Sequence, residues 1–555
     1  MFSFQERAQQ LNGISQTDYD LVIIGGGITG CGIALDAASR ETGRNLKILL
    51  LEKGDFANGT SSRSTKLIHG GLRYLKNFEF KLVYEVGRER EILHQNARHL
   101  VLAEKMLLPI LKAGSLGKFT TGIGLRLYDF LAGVKYEERR KMLNKEETIQ
   151  EEKLLKRAPI IGGGLYYEYR TDDARLTMDV LKTACLKYQA TALNYARVEQ
   201  FIYDAERKIT GLEFTDVISN TRYQIKSKVI INATGPWVDT LRSSDQSLQG
   251  KHIQHSKGVH LVFAHRDIPL KHAIYFDLPD KRMMFAIPRN ECTYIGTTDN
   301  FYKDSIDQPI ITKEDIDYLL NGINQMLENG NVRKEMILSM WSGVRPLIYE
   351  EGKNASELSR RDEVLISPSR LISIAGGKLT GYRAMADEVV DLVMDGLALN
   401  SAKCMTKSIK LFGGNFETEN DASLCLEGFI EIGLKLGIDQ NTTTKLFHKY
   451  GTEMESVFLY FSDIKAKYNF PLLAAELIYC IHHEQCYSLG DFYIRRSGYL
   501  YFERGLISPA SVMESSEILK EYLNLSDEEL LRQQEELKTE LEQTDWKFYY
   551  SSIDK

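Results

Sequence analysis

The sequence predicts an α/β fold, α+β over its full length, that combines a parallel sheet, a second mixed sheet and a C-terminal all-α domain. Three observations carry this. A buried strand, a glycine cluster, a helix of small residues and another buried strand run from Tyr19 to Glu52, which is one βαβ unit. Short segments of alternating polarity recur between Gly163 and Gly296, as in a partly antiparallel sheet. Beyond Lys410 glycine thins out and helical periodicity dominates.

Taken in order, residues 1–18 are polar and read as a loose lead-in. YDLVII (Tyr19–Ile24) is a strand, Gly27 to Arg40 a tightly packed helix, and KILLLE (Lys47–Glu52) the next strand. Residues 77–157 read as helices whose charged runs, such as YEERRKMLNKEE (Tyr136–Glu147), are solvated faces. Strands follow near Gly163–Tyr169, Arg197–Phe214 and Arg222–Asn232, then at His260–Phe263, Met283–Pro288 and Tyr294–Gly296. Ser526 and Glu529 have the spacing of a capping box before an acidic amphipathic helix. The expected division is 1–404 against a helical domain at 405–555. Within the first part, a nucleotide-binding domain takes about 17–90, 170–250 and 335–404, and a mixed-sheet substrate domain takes about 91–169 and 251–334.

Composition narrows the class. A chain of 555 residues can build two or three full cores. Its 42 Gly, 11 Pro and 43% hydrophobic residues exclude collagen-like and disordered chains. A net charge of −6 offers no global field for nucleic acid, and none is expected as a partner. The nearest candidate for a membrane span, Leu21 to Leu35, is interrupted by five glycines and is too short. The segment MFSFQERAQQLNGISQ lacks the basic start and apolar core of a secretory signal. Seven cysteines without paired spacing fit a reducing, cytoplasmic setting.

Gly25-Gly26-Gly27-Ile28-Thr29-Gly30 is a G-x-G-x-x-G run between the first strand and its helix. In such a Rossmann-type turn Gly25 permits the tight bend, Gly27 lets backbone approach a pyrophosphate, and Gly30 lets helix pack on strand. The helix start offers unpaired N–H groups and a positive dipole to the anion. Alone the hexapeptide is a weak signal. Glu52 strengthens it, because it ends the next strand 22 residues beyond Gly30, where a carboxylate accepts from a ribose hydroxyl and disfavours a 2′-phosphate.

Thr60-Ser61-Ser62-Arg63-Ser64-Thr65-Lys66 then packs five hydroxyls into seven residues. A solvated loop is the plain reading; the other is a second set of donors wrapping an extended cofactor. Val229–Trp237 (VIINATGPW) would return Ala233 and Gly235 to the same cofactor. Leu371–Thr380 would add Gly376, Gly377, Lys378, Leu379 and Thr380 ahead of a helix near Gly381. Three glycine-terminated strands exceed what a single nicotinamide fold requires, so FAD is favoured over NAD.

Several motifs resemble those of one family. They are SSRSTKLIHGGLRYL (Ser61–Leu75), INATGPWVD (Ile231–Asp239), KGVHLVF (Lys257–Phe263), IGTTD (Ile295–Asp299), WSGVRPL (Trp341–Leu347) and AGGKLTGYR (Ala375–Arg383). The chain resembles the FAD-dependent, quinone-linked glycerol-3-phosphate dehydrogenases, within the D-amino-acid-oxidase-like flavoproteins. DFYIRR (Asp491–Arg496) extends the likeness into the C-terminal helices. The resemblance implies oxidation of sn-glycerol 3-phosphate to dihydroxyacetone phosphate, with a hydride passed to FAD and electrons to a membrane quinone. It adds Leu67, Ile68 and Val198 to the cofactor contacts, and it lines the substrate site with Arg73, Tyr74, Arg345 and Lys378.

The residue chemistry agrees with that implication. A phosphate monoester dianion needs clustered cations, preferably guanidinium forks, and Arg73, Arg345 and Lys378 each follow a glycine-containing element. Arg345 near the reacting hydroxyl would stabilise a developing alkoxide. His69 and His260 are the candidates for taking the proton, although a lone histidine is more often a structural donor. His69, beside Gly70-Gly71, could instead bond the flavin edge, and the base stays open between the two.

Other readings are weaker. Cys480-Ile481-His482-His483-Glu484-Gln485-Cys486 lacks the separated ligand pairs of a zinc site, so no metal is expected, and Cys31 reads as packing. A glycerol-3-phosphate oxidase, making hydrogen peroxide from oxygen, is the alternative activity. Its members carry an added segment where only Ile348–Leu358 separates Leu347 from Ser359-Arg360-Arg361 here, which favours the dehydrogenase. A tRNA-modifying flavoprotein would need a basic stripe, and an amino-acid oxidase would not need several cations. Quinone as acceptor requires peripheral contact with the inner face of the cell membrane, for which LPILKAGSLGKF (Leu108–Phe119) is the expected surface. The helical domain is a candidate homodimer surface.

Overall fold

A computed structural model describes residues 2–70, 80–112, 127, 139–349, 362–399 and 402–550. Its first sheet is centred on the strand Asp18–Ile24, which runs parallel to Ile48–Leu51 on one side and Thr221–Asn232 on the other. Thr191–Leu193 and Ile372–Ala375 extend the two flanks, again in parallel. Glu363–Ile366 adds an antiparallel edge, and the hairpin of Ala196–Tyr203 with Ile209–Asp216 joins through Thr221–Asn232. Leu21, Val22, Ile23, Leu49, Leu50 and Leu51 are wholly buried, which explains why these strands read as continuous apolar runs. The helix Ile28–Ser39 packs on Tyr382–Gly396, and a Cβ at Gly32 would come within 2.6 Å of the Tyr382 ring.

The second sheet holds ten strands among the described residues and is mixed, as expected. Ile253–Ala264 lies antiparallel to Ile337–Ile348 and to Cys292–Gly296. Leu102–Leu111 pairs in parallel with Ala273–Asp277 and antiparallel with Ile160–Arg170. Leu67–Ile68 also pairs with Ile160–Arg170, so the hydroxyl-rich segment Thr60–Lys66 crosses from the first sheet to the second. From Glu419 onward, helices surround a separate core that includes Leu446, Phe458, Leu477, Tyr493 and Ile518. The α/β class, the mixed second sheet and the C-terminal helical region all match the sequence reading.

Several local expectations fail. The lead-in is a helix, Phe4–Gly13, closed by a capping box between Ser3 and Glu6, with Phe2 and Leu11 buried. Its polar composition hid this, because its buried positions include Arg7, which bonds Asn194 and Asp216. Residues 77–157 do contain a helix, Phe80–Asn96, but Leu102–Leu111 and Lys141–Leu143 are strands. Met106 to Leu108 form a run buried inside the sheet, and such a strand lacks the alternation that distinguishes it from a helix. Leu108 and Ile110, proposed for membrane contact, are 1% and 0% exposed, and residues 113–119 of that segment lie outside the described ones. No described helix is long and apolar enough to cross a membrane. Ser526 caps its helix through the Glu529 amide, while the Glu529 carboxylate turns to Arg532 and Tyr487.

Candidate active site

The carboxyl ends of Asp18–Ile24, Thr221–Asn232 and Ile372–Ala375 are neighbours in the sheet, with Ile24 opposite Asn232 and Asn232 opposite Ser373. Their three glycine turns therefore converge on one cavity of about 770 Å³. Gly25, Gly27, Ile28, Thr29, Glu52, Thr60, Ser61, Ser64, Val198, Ala233, Gly235, Gly376, Gly377, Lys378 and Leu379 all line it. With Ile48–Leu51 included, the cavity crosses the ends of four adjacent strands, roughly 14 Å at sheet spacing, which suits an extended ligand.

The turn geometry explains the glycines. Gly25 has φ +114°, and a Cβ there would meet the Ala233 carbonyl at 2.5 Å. A Cβ on Gly30 would lie 1.9 Å from the Gly25 carbonyl oxygen, so the helix can approach the turn only without a side chain. The Ile28 amide, at the helix start, donates to Ser61 Oγ at 2.9 Å. Glu52 accepts from the Gly26 amide at 2.7 Å and from Gly54 at 2.9 Å, locking its own loop against the glycine turn. Burial pushes the Glu52 carboxyl above its ordinary pKa despite those amides. Trp237 also lines the cavity, and its indole Nε1 is buried without a hydrogen-bond partner among the described residues. Glycine backbone without side chains, the hydroxyl-bearing Thr29, Thr60, Ser61 and Ser64, and an indole donor with no partner among the described residues form a lining that fits the pyrophosphate and rings of FAD.

Some cavity residues escaped the sequence reading. Trp237 lies within the motif Ile231–Asp239, and a Cβ on Gly59 would meet its ring at 3.0 Å. Lys53 places its ammonium 4.1 Å from the centre of that ring and 2.5 Å from Asp307. Lys303 to Asp307 form another part of the wall, but they follow a strand of the second sheet and carry no local signature.

Other expected cofactor residues stand behind the lining. Gly30 and the buried Ser62 support the turns. Thr65 Oγ1 is 2.9 Å from His260 Nε2, and Leu67 and Ile68 are buried in their strand. The Lys66 ammonium bonds Asp173 at 2.5 Å and the Ser62 carbonyl at 3.1 Å. Thr380 Oγ1 accepts from the His69 amide and donates to its carbonyl, both at 3.2 Å.

Of the expected substrate residues, Arg73 and Tyr74 lie outside the described residues. Arg345 Nη2 donates to Thr297 Oγ1 at 3.0 Å, and Nη1 reaches the Thr298 carbonyl and Asp299, each at 3.3 Å. The guanidinium lies across Gly258, where a Cβ would come within 2.3 Å of Nη2. His260 stacks on Trp341, with ring centres 4.7 Å apart and 10° between planes. Its Nδ1 is buried without a hydrogen-bond partner among the described residues. Burial, then the charges of Arg345 and Lys66, hold this imidazole well below its usual pKa and neutral. His69 is half-buried beside Gly70, whose amide donates to Glu168 at 3.1 Å.

The Cys480–Cys486 cluster is an ion-pair site. Glu484 takes both Arg175 guanidinium nitrogens at 2.6 and 2.7 Å, with Lys182 at 3.4 Å. Among the described residues, Asp36, Asp387 and Cys404 group their ligand atoms, but Arg40 already bonds both aspartates. Cys31 is buried in the helix Ile28–Ser39.

With a Rossmann-type turn, a dinucleotide-sized cavity and a mixed sheet packed beside it, the chain belongs to the FAD dependent oxidoreductase family, whose profile matches residues 20–381. A second profile, the C-terminal domain of alpha-glycerophosphate oxidase, matches residues 404–530. More particularly, the chain is similar to the aerobic glycerol-3-phosphate dehydrogenase of Bacillus subtilis (strain 168), at 49% identity over 90% of this chain and 91% of that one. The Staphylococcus aureus (strain COL) enzyme of the same name is 48% identical over 87% of each chain. Among solved structures, glycerol-3-phosphate dehydrogenase from Bacillus halodurans complexed with FAD matches with TM-score 0.83 and 40% identity, covering 98% of both chains. L-alpha-glycerophosphate oxidase from Mycoplasma pneumoniae, with FAD bound, matches at TM-score 0.54 and 17% identity over 70% of this chain and 96% of that one, a likeness of fold alone.

Proposed function

We propose that the chain oxidises the secondary alcohol of sn-glycerol 3-phosphate to dihydroxyacetone phosphate with FAD, and passes the electrons to a membrane quinone. The placement of Arg345 carries this reading. Its guanidinium occupies space that only Gly258 leaves open and is steered there by Thr297, Thr298 and Asp299. A forked cation so held, with Lys378 on the cavity wall, suits a phosphate dianion or a developing alkoxide. Arg73 and Tyr74 complete the anion site in this proposal. The names of the relatives at 48–49% identity support the same substrate.

FAD, when bound, supplies the two-electron acceptor. The chain's own residues bind the phosphate, orient the hydroxyl and take its proton. We assign the proton to His69, which is half-buried and tied through Thr380 to the segment bearing Lys378 and Leu379. His260 is the weaker base, because desolvation and the neighbouring Arg345 both oppose a second positive charge. It is better placed to orient Thr65 and Trp341. The cavity-lining residues named above hold the cofactor in this reading. The division near residue 404, peripheral attachment to the inner face of the cell membrane and a homodimer belong to the same proposal.

Anaerobic titration tests it. Glycerol 3-phosphate is expected to bleach the bound flavin's absorbance, and a quinone analogue to restore it faster than oxygen does. Absence of bleaching would overturn the substrate; restoration by oxygen alone, with peroxide formed, would replace the dehydrogenase with an oxidase.

A further inference from the structure

The loop that follows Glu52 is gripped from behind by the C-terminal helices. Asp55, 1% exposed, accepts from Arg495 Nε at 2.5 Å and from Arg496 Nη1 and Nη2 at 2.7 and 2.8 Å. Arg495 Nη1 also donates to Asn58 Oδ1 at 3.1 Å, and Asn58 lines the cavity. Asp491 balances the charge, accepting from Arg495 Nη2 at 2.7 Å and from the Tyr195 hydroxyl at 2.6 Å. Arg496 Nη2 holds the Glu484 carbonyl at 2.9 Å, and Asn194 Nδ2 bonds both Asp55 and the Gln485 carbonyl. On its other side the same loop holds the glycine turn, through Glu52 to the Gly26 amide and through the Ala57 amide to the Gly26 carbonyl at 3.0 Å.

We infer that Arg495 and Arg496 are positioning residues for the flavin dinucleotide, so that docking of the C-terminal helices and binding of FAD are one coupled equilibrium transmitted through Asp55 and Asn58. The inference rests on reading the cavity as the FAD site. Two carboxylates and two guanidiniums are buried here and satisfy one another, so neither side can withdraw without leaving an uncompensated charge. The loop is thereby held in one arrangement, with Ser61 presented to the helix start and Asn58 to the cavity. A ligand that prefers this arrangement must tighten the helices' docking by the same factor by which their docking tightens the ligand.

Hydrogen exchange on the full chain with and without FAD tests the coupling. FAD is expected to slow exchange about fivefold or more at amides of residues 484–496, which the cavity does not include, as well as at residues 25–30. In Asp55→Asn, protection of 484–496 is expected to vanish while that of 25–30 persists, and FAD should leave about tenfold faster. Arg495→Lys, which keeps a cation, is expected to retain part of the protection, separating lost positioning from misfolding. Protection of 25–30 without any at 484–496 in the unmutated chain would overturn the coupling and leave the site reading intact. Protection at neither segment would overturn both.

Discussion

At the cavity, polar groups border a space: the glycine turns, Ser61 and Ser64 line it, and the buried indole N–H of Trp237 has no hydrogen-bond partner among the described residues. In the seam behind it, charged groups are consumed. Arg7 closes on Asp216, Arg175 and Lys182 on Glu484, and Arg495 and Arg496 on Asp55, with all of these side chains nearly or fully buried. The two regions share the loop from Glu52 to Ser62. The contrast is one of satisfaction: the cavity keeps an indole donor with no partner among the described residues, whereas the charges of the seam satisfy one another. Ions in a buried seam are strongly coupled, and removing one strands its partner.

The largest effect should come from breaking the seam. Arg175→Met leaves Glu484 with Lys182 and Arg496 and should cost about 3–5 kcal/mol of unfolding free energy in a urea titration. A loss below about 1 kcal/mol would put this ion pair in the class of surface bridges and erase the contrast. Next in size is a change at the cavity that leaves the seam intact. In Gly30→Ala the new Cβ would press on the Gly25 carbonyl, a strain of about 1–3 kcal/mol, and should weaken FAD binding about 10- to 100-fold in a flavin fluorescence titration. The urea midpoint of the flavin-free chain should fall far less than in Arg175→Met.

The smallest effect distinguishes the regions by pH. His260 is held below its unfolded pKa of about 6.5 by burial, Arg345 and Lys66. Its contribution to stability is full above that pH and declines as pH falls, because the unfolded chain then takes up a proton that the native one refuses. Burial also pushes His448 and His483 down to about 4, with the same sign. In the seam, against the burial that would raise them, Arg496 and Arg495 hold Asp55 below the carboxylate range, and Arg175 and Lys182 do so for Glu484. Their share is therefore complete above about pH 4 and is lost only below it. His260→Asn should reduce the slope of stability below about pH 6.5 by up to about 1.4 kcal/mol per pH unit, leaving the steeper acid loss unchanged. Urea titrations at several pH values check this, and an unchanged upper slope would remove His260 as a source.

What was legible in the sequence follows from range. The glycine turns after Ile24, Asn232 and Ala375 were readable because each needs only its own strand and the helix that follows. That they meet follows from parallel pairing, which the βαβ pattern already implied. The strand Leu102–Leu111 is not legible, because Met106–Ile110 are buried on both faces and such a run has no period of two. Nothing local marks Asp55 or Lys303–Asp307 either, since their partners lie in distant elements. DFYIRR is recognisable as a motif, but its purpose depends on a carboxylate in the first sheet's loop.

The spacing of the Asp55–Arg496 pair has a consequence for how the chain is made. The two residues are 441 positions apart. The first sheet lacks its strand Ile372–Ala375, and the carboxylate its guanidiniums, until long after Glu52 has emerged from the ribosome. During that interval Asp55 must stay hydrated, and the nucleotide-binding half waits as an incomplete body with an open sheet edge. If the coupling inferred above holds, the loop behind the cavity takes its final arrangement only after residues 491–496 have been made and packed, so flavin should bind more tightly late in synthesis than early.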